Sequence, residues 1–571
     1  MVRSQPSHVG RINLLLISSG NPPQTPPTSG LGFLGILKAW PEYNQGNRFY
    51  KLGRYELAFQ RYDQAVNFKP NWYSAWLRRG NSLRKLKQYK DALASYDRAI
   101  KIKPEDYWAW TFRGIALAKL ERFEEAVASF DKAITIEPEN FESWYERGLA
   151  LETLLQYKAA SASYKRAIEI KPNVSAIWYH QGNALMNEER YSDAVASYDR
   201  SIQLQPANYE AWFNRGEMLL SQQKYSEAIT SYDQAIKLQP KSYQAWFNRG
   251  ISLQKLRRYQ EAIISYDTVI QLQPQDYEVW FYKGMALLNS QQHQEALTCL
   301  NQALQINPNL AAIWISRAQN LLELKQYQSA IASFDKATQL NSNFPEAWLG
   351  RGKALCELKQ YQEAIIAYDN ALQIQPDFMD AWNCRGEALE KLDRFEEALI
   401  AYDKVVQMTT EDTELATKSG LQRGEALEKL ERYDEAIIAY KKVIRVQPNN
   451  FEAWLHLGKT LEAVQKHLEA AEAFNQAVKI WPDSYGTWLQ WGLALESAQR
   501  YQDALTVYDK IIQRKPDYYA AWIRRGMTFE QMNCYQDANR SYGVALEMQP
   551  NSAEAVIHRN RVNLKLKNNP N

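Results

Sequence analysis

Residues that build chemistry or covalent staples are scarce in this chain. Four cysteines occur in 571 residues (Cys299, Cys356, Cys384, Cys534), with no CxxC spacing. That argues against a disulfide framework and a structural zinc site, and it fits a reducing, cytoplasmic compartment. Six histidines (His8, His180, His293, His456, His467, His558) show neither an HExxH motif nor a ligand spacing with cysteine. No metal or cofactor is expected. Basic and acidic residues nearly cancel, at 68 and 65. There is thus no global field to draw the chain to nucleic acid or a membrane surface. No apolar run approaches the length of a membrane span. The opening MVRSQPSHVGRINLLLISSG carries only a short apolar core, Ile12–Ile17, so export is not expected. Residues 18–30, SSGNPPQTPPTSG, read as a disordered linker. There is no GxSxG, EF-hand loop or GxGxxG context. Gly458-Lys459-Thr460 imitates the end of a phosphate loop, but Ala453 stands where such a loop needs glycine. No residues are left on which an enzyme reading can rest.

Aromatics, by contrast, are abundant, with 18 Trp and 35 Tyr. The hexapeptide AWFNRG occurs at Ala211–Gly216 and again 34 residues later, at Ala245–Gly250. Its glycine belongs to a ladder of 34-residue steps: Gly46, Gly80, Gly114, Gly148, Gly182, Gly216, Gly250, Gly284, Ala318, Gly352, Gly386. One 38-residue step leads to Gly424, and 34-residue steps resume to Gly458, Gly492 and Gly526. Fifteen repeats result. Four residues before each rung stands Trp, except at Glu42 and Gly420. Twelve after is Ala. Sixteen after is Tyr or Phe, except Leu300, and twenty-four after is Pro, except Ser342 and Thr410.

Two apolar patterns of helical period flank a polar turn in each repeat, which predicts two antiparallel helices, A and B. The glycine of helix A is expected to face the alanine of helix B, small against small, so that the helices approach closely. Trp and the later Tyr or Phe act as wedges. Proline ends helix B. His293 and His467 replace the aromatic between the helices, which marks them as structural.

These residues, W-x3-G followed by Y, A, Y/F, A and P, resemble the tetratricopeptide repeat (TPR) family from about residue 40 to 550. The resemblance implies an all-α, right-handed superhelical solenoid of about fifteen 34-residue helix-turn-helix repeats. Helix A would line its concave face. The expected organisation is an N-terminal extension over 1–39, repeats 1–11 over 40–410, repeats 12–15 over 411–550, and a polar cap helix and tail over 551–571. The four extra residues in MTTEDTELATKSG predict a lengthened helix or kink, with a hinge or second surface there. The family usually has Leu before the glycine. Here Arg takes that place in ten repeats, and Asp commonly follows the helix-B aromatic. We expect Asp of one repeat to pair with Arg of the next, as in Asp233 with Arg249.

Whatever specificity the chain has lies at positions the repeat leaves free. Three before the glycine, five successive repeats carry Tyr145, Tyr179, Phe213, Phe247 and Phe281. Trp108, Phe112, His180, Asn214, Asn248 and Tyr282 stand nearby in the register. Rings beside amides suit an extended peptide, although the rings also have neighbouring helices to pack against. Residues 41–104 have a net charge of +9, with Arg78 and Arg84 at groove positions. Four after the glycine stand Glu390, Glu428, Glu462, Glu496 and Glu530, an acidic strip suited to a basic partner segment. The family's clamp for chaperone C-termini needs Lys three before the glycine; Asn47 and Asn81 match that pattern, but Tyr43 and Leu77 replace the Lys.

The expected function is a non-enzymatic scaffold that holds partner proteins through peptide-like segments. An alternative is a recognition module serving a separate enzyme. TPR arrays in O-linked N-acetylglucosamine transferases carry an Asn ladder, represented here only by Asn44, Asn214 and Asn248. Nucleic-acid binding through the basic first repeats is the weaker alternative and predicts steep salt dependence.

Overall fold

The repeat logic is visible within a single unit. Helix A of repeat 6, Tyr209–Ser221, starts after Asn208, whose side chain accepts from the Ala211 N–H at 3.1 Å. Such a cap satisfies one of the N–H groups that a helix start leaves without a partner. Ser242 does the same for Tyr243–Lys255 of repeat 7. At the far end, Lys224 N–H donates to Leu219 O at 2.8 Å and Gln223 N–H to Leu220 O at 3.0 Å. Gln223 sits at φ 60°, which makes this the left-handed helix stop of the Schellman type. The turn then enters helix B, Tyr225–Leu238, and Pro240 follows its cap residue Gln239.

The computed structural model describes residues 33–408 and 414–568. The expected linker at 18–30 and residues 409–413 of the stretch MTTEDTELATKSG lie outside them. Among the described residues there are 31 α-helices and no strand, so the all-α expectation holds. Within each of two compact units, consecutive helices pack as antiparallel pairs, as a TPR solenoid requires. The units meet in the sequence between Gln292 and His293. The first runs from helix Phe33–Lys51 to helix Tyr277–Asn289. The second runs from helix His293–Ile306 to helix Ala553–Asn568. None of the helices described is long and apolar enough to cross a membrane, and no disulfide joins the described cysteines.

In both units the core is a column of buried rings, one per repeat except where Leu300 takes the place. Tyr62, Tyr96, Phe130, Tyr164, Tyr198, Tyr232 and Tyr266 are fully buried in the first; Phe334, Tyr368, Tyr402, Tyr440, Phe474, Tyr508 and Tyr542 fill the second. Each such ring contributes about 2 kcal/mol of burial. These rings, and not the alanines, face the glycines, which corrects the sequence expectation. A Cβ on Gly216 would stand 2.6 Å from Tyr232 Cε1, and one on Gly250 would stand 2.5 Å from Tyr266 Cε1. The ring lies directly over the backbone of helix A, where only a missing side chain leaves room. The alanines, such as Ala228 and Ala262, are buried as well.

Two irregular places bear on the site. Helix A of repeat 12, Glu414–Lys429, has 16 residues where those of repeats 11 and 13 have 12 and 13. Gly420 replaces the usual Trp there, and a Cβ on it would meet Val443 at 2.8 Å. The last helix, Ala553–Asn568, buries Ala555 and Val562 and is otherwise largely polar.

Candidate functional site

Most of the repeated polar residues are consumed by the stack itself. Arg249 Nε donates to Asp233 Oδ1 of the preceding repeat at 2.6 Å, as expected from the sequence. Its Nη1 donates to Ser265 Oγ of its own helix B at 2.7 Å. The guanidinium also lies 5.7 Å from the Trp246 ring, a favourable cation–π placement. Trp246 Nε1 in turn donates to the Pro240 carbonyl at 3.0 Å. The Arg–Asp pair recurs at Arg79–Asp63, Arg113–Asp97, Arg147–Asp131, Arg215–Asp199, Arg351–Asp335, Arg385–Asp369, Arg423–Asp403 and Arg525–Asp509. Lys283 substitutes at Asp267, and Arg317 uses Asn301. Where Ser342 replaces proline, Trp348 still donates to that residue's carbonyl, because the acceptor is backbone.

The aromatic stripe sits where helix A meets the buried ring of its own repeat. Tyr145 lies 6.0 Å from Tyr164, Tyr179 6.2 Å from Tyr198, Phe213 6.0 Å from Tyr232, and Phe247 6.0 Å from Tyr266. Tyr145 and Phe112 are buried; Trp108, Tyr179, Phe213, Phe247, Phe281 and Tyr282 keep part of their surface. The next repeat adds a second layer. His180 packs on Tyr145 and Tyr164, and Tyr282 packs edge-on against Phe247 at 5.3 Å. Trp108 stacks on Phe112, and Phe281 touches Tyr282. Asn214 donates to Asn183 Oδ1 at 3.1 Å, and Asn248 lies beside the Tyr232 phenol. In the basic repeats, Arg84 covers Phe112 at 5.0 Å and Arg78 lies 6.0 Å from Tyr50. Asn47 and Asn81 accept from the Tyr62 and Tyr96 hydroxyls.

The acidic strip is engaged internally. Glu428 accepts from Thr460 and lies 3.4 Å from His456 Nδ1. Burial works against its charge, yet hydrogen bonds from His456 and Thr460 hold its carboxyl below the ordinary range. Glu530 takes the Tyr542 hydroxyl and faces His558, Arg561 and Lys565. Glu152, four after Gly148, repeats the theme with Tyr164 and His180. Glu462 pairs with His467, and Glu496 accepts from Thr528. Glu390 is pushed up to about 7 by burial and by the carboxylates of Glu425 and Glu387. His293 packs as a structural residue, 3.0 Å from Asn320 Oδ1. Gly458-Lys459-Thr460 lies inside helix Phe451–Ala463, so it forms no phosphate loop.

One charged residue on this face was not singled out from the sequence. Glu217 follows Gly216 directly, is part-buried, and has no hydrogen-bonding or ionic partner among the described residues. Burial alone pushes its carboxyl up to about 7. The available signal was relational. Glu stands one after the glycine, while six and two before the next glycine stand Gln244 and Asn248, both neutral.

Models of the tetratricopeptide repeat match residues 73–106, 107–140, 141–174, 179–243, 219–276, 277–310, 321–369, 421–485 and 485–528. A model described as TPR repeat matches 352–393. No curated protein matches the chain. Among solved structures, the chain is similar to YrrB, a TPR protein with an unusual peptide-binding site. Identity there is 22%, over 34% of this chain and 97% of that one, with a TM-score of 0.31. It is also similar to Naa15/Naa10 bound to HypK-THB, at 12% identity over 93% and 96%, TM-score 0.33. A third is the C-terminal part of a TPR repeat-containing protein from Cytophaga hutchinsonii, at 17% identity over 43% and 99%, TM-score 0.39.

Proposed function

From the premise that this chain belongs to the tetratricopeptide-repeat family, we propose that it is a non-enzymatic scaffold holding partner proteins through peptide-like segments along the helix-A face. One observation carries the reading. The Trp, Gly, Arg and Asp that recur along the repeats are spent on the stack, whereas Tyr179, Phe213, Phe247 and Phe281 keep accessible surface in four successive repeats. Rings with amides beside them, here Asn214 and Asn248, offer apolar contact to side chains and hydrogen bonds to an extended backbone. Four scattered cysteines without CxxC spacing fit a cytoplasmic setting. The four-residue insertion within MTTEDTELATKSG is read as a hinge or a second surface.

Crosslinking of the full chain in lysate, with and without Phe213, Phe247 and Phe281 changed to Ala, tests the site. The same partners at the same yield from both chains remove the aromatic face as the site. An activity assay on the purified chain tests the scaffold reading, and turnover would refute it.

A further inference from the structure

We propose that Glu217 is a recognition subsite for one lysine or arginine side chain of the bound segment, an inference that rests on the peptide-binding reading above. The chain itself displays the chemistry. Three glutamates stand immediately after the repeat glycine: Glu217, Glu387 and Glu425. Glu387 receives the Lys418 ammonium at 2.6 Å, with amide nitrogens of Gln422 and Asn383 at 3.0 and 2.8 Å. Glu425 faces His456 Nε2 at 3.6 Å. In both cases the nitrogen partner comes from the following repeat. At Glu217 the places of Lys418 and of Gln422 are held by Gln244 and Asn248, both neutral. The subsite is built as its relatives are, without the internal cation.

The surroundings suit a long cationic side chain. Tyr209, Phe213 and Glu217 stand at i, i+4 and i+8 on one helix face. The first two rings are stacked, with centroids 5.8 Å apart. The phenols of Tyr198, Tyr209 and Tyr232 lie within electrostatic reach of the carboxylate. A methylene stem would lie along the rings while its charged head meets the carboxylate. A part-buried carboxylate without a partner is costly to keep, and a charged hydrogen bond from a ligand would recover that cost.

The probes are short acetylated, amidated, dye-labelled peptides, randomised except for one central residue fixed as Lys, Arg or norleucine. Fluorescence anisotropy is read with the full chain and with two variants. Glu217→Gln removes the charge in an isosteric side chain. Gln244→Lys supplies the internal ammonium that Lys418 gives Glu387. The natural chain is expected to bind the Lys and Arg pools about tenfold more tightly than the norleucine pool. That ratio should fall to about one in both variants, with norleucine binding unchanged. Equal affinity for all pools in the natural chain overturns the subsite and leaves the peptide groove standing. A Lys preference that survives Glu217→Gln also overturns it. Failure of every pool to bind refutes the groove reading, and this inference with it.

Discussion

Arg249 belongs to two repeats at once: its Nε holds Asp233 of one at 2.6 Å, and its Nη1 holds Ser265 of the next at 2.7 Å. In a stack where each repeat touches only its neighbours, such interface ties set how cooperatively the array unfolds. Arg249 is 17% exposed and Asp233 41%, so the ion pair alone is a modest, solvent-screened contribution. Asp233→Ala should cost about 0.5–1 kcal/mol in chemical denaturation. Arg249→Met should cost about 2 kcal/mol, because it removes the donor to the buried Ser265 Oγ together with the partner of Asp233. An unchanged midpoint for Asp233→Ala would strip the pair of energetic meaning.

Gly216→Ala tests the ring-over-backbone packing. Helix propensity alone favours alanine by about 1 kcal/mol. The new methyl would stand 2.6 Å from Cε1 and 2.9 Å from Cδ1 of Tyr232, a ring that is fully buried and cannot swing away. Overpacking of this kind costs about 1–3 kcal/mol, so a net loss of stability is expected. A variant as stable as the natural chain would mean that the interface has slack.

The two tests differ in how far the sequence foretold them. The Asp233–Arg249 pair was legible because both residues recur in one register and their charges are opposite. The partner of Gly216 was misassigned, because small-against-small is the default for close helices and periodicity does not say which helix-B residue points at the rung. The A–B turn was located near the Tyr of phrases such as RRYQEA and QKYSEA, but its left-handed stop was not. Gln223, Arg257 and their equivalents occupy that position where glycine would have announced it, as Gly53 does in the first repeat. Glu217 was missed for another reason. Its interest lies in what the next repeat lacks, and a residue-by-residue reading does not register a missing partner.

Glu530 anchors the last helix. It takes the Tyr542 hydroxyl at 3.3 Å and faces His558 at 3.2 Å, Arg561 at 3.7 Å and Lys565 at 3.9 Å, the last three all from helix Ala553–Asn568. Glu530→Gln keeps the shape and removes the charge. Amide exchange across Ala553–Asn568 should then quicken by about tenfold, the loss of one charged hydrogen bond, while Tyr501–Arg514 of the preceding repeat stays protected. Unaltered exchange in the last helix would show that Ala555 and Val562 hold it by packing alone.

Glu390 gives stability a dependence on pH that runs opposite to ordinary acid denaturation. Burial raises its carboxyl from 4.5 to about 7 against the opposing Tyr402 hydroxyl, and the neighbouring carboxylates of Glu425 and Glu387 add to the rise, with Lys391 also opposing it. The folded state therefore binds this proton more tightly than the unfolded chain does. The favourable contribution is complete below the unfolded value, and it is lost as pH climbs through the folded one. Glu390→Gln replaces the titrating group with a permanently neutral one. Near pH 8 the variant should be more stable by about 1 kcal/mol, a figure reduced for solvent screening at a part-buried site. Near pH 5 the two chains should melt together, to within about 0.3 kcal/mol, because both then carry a neutral group. Thermal melts at the two pH values decide the matter. A variant less stable at the higher pH would mean that ionised Glu390 is held by a favourable contact, and that burial does not govern its charge.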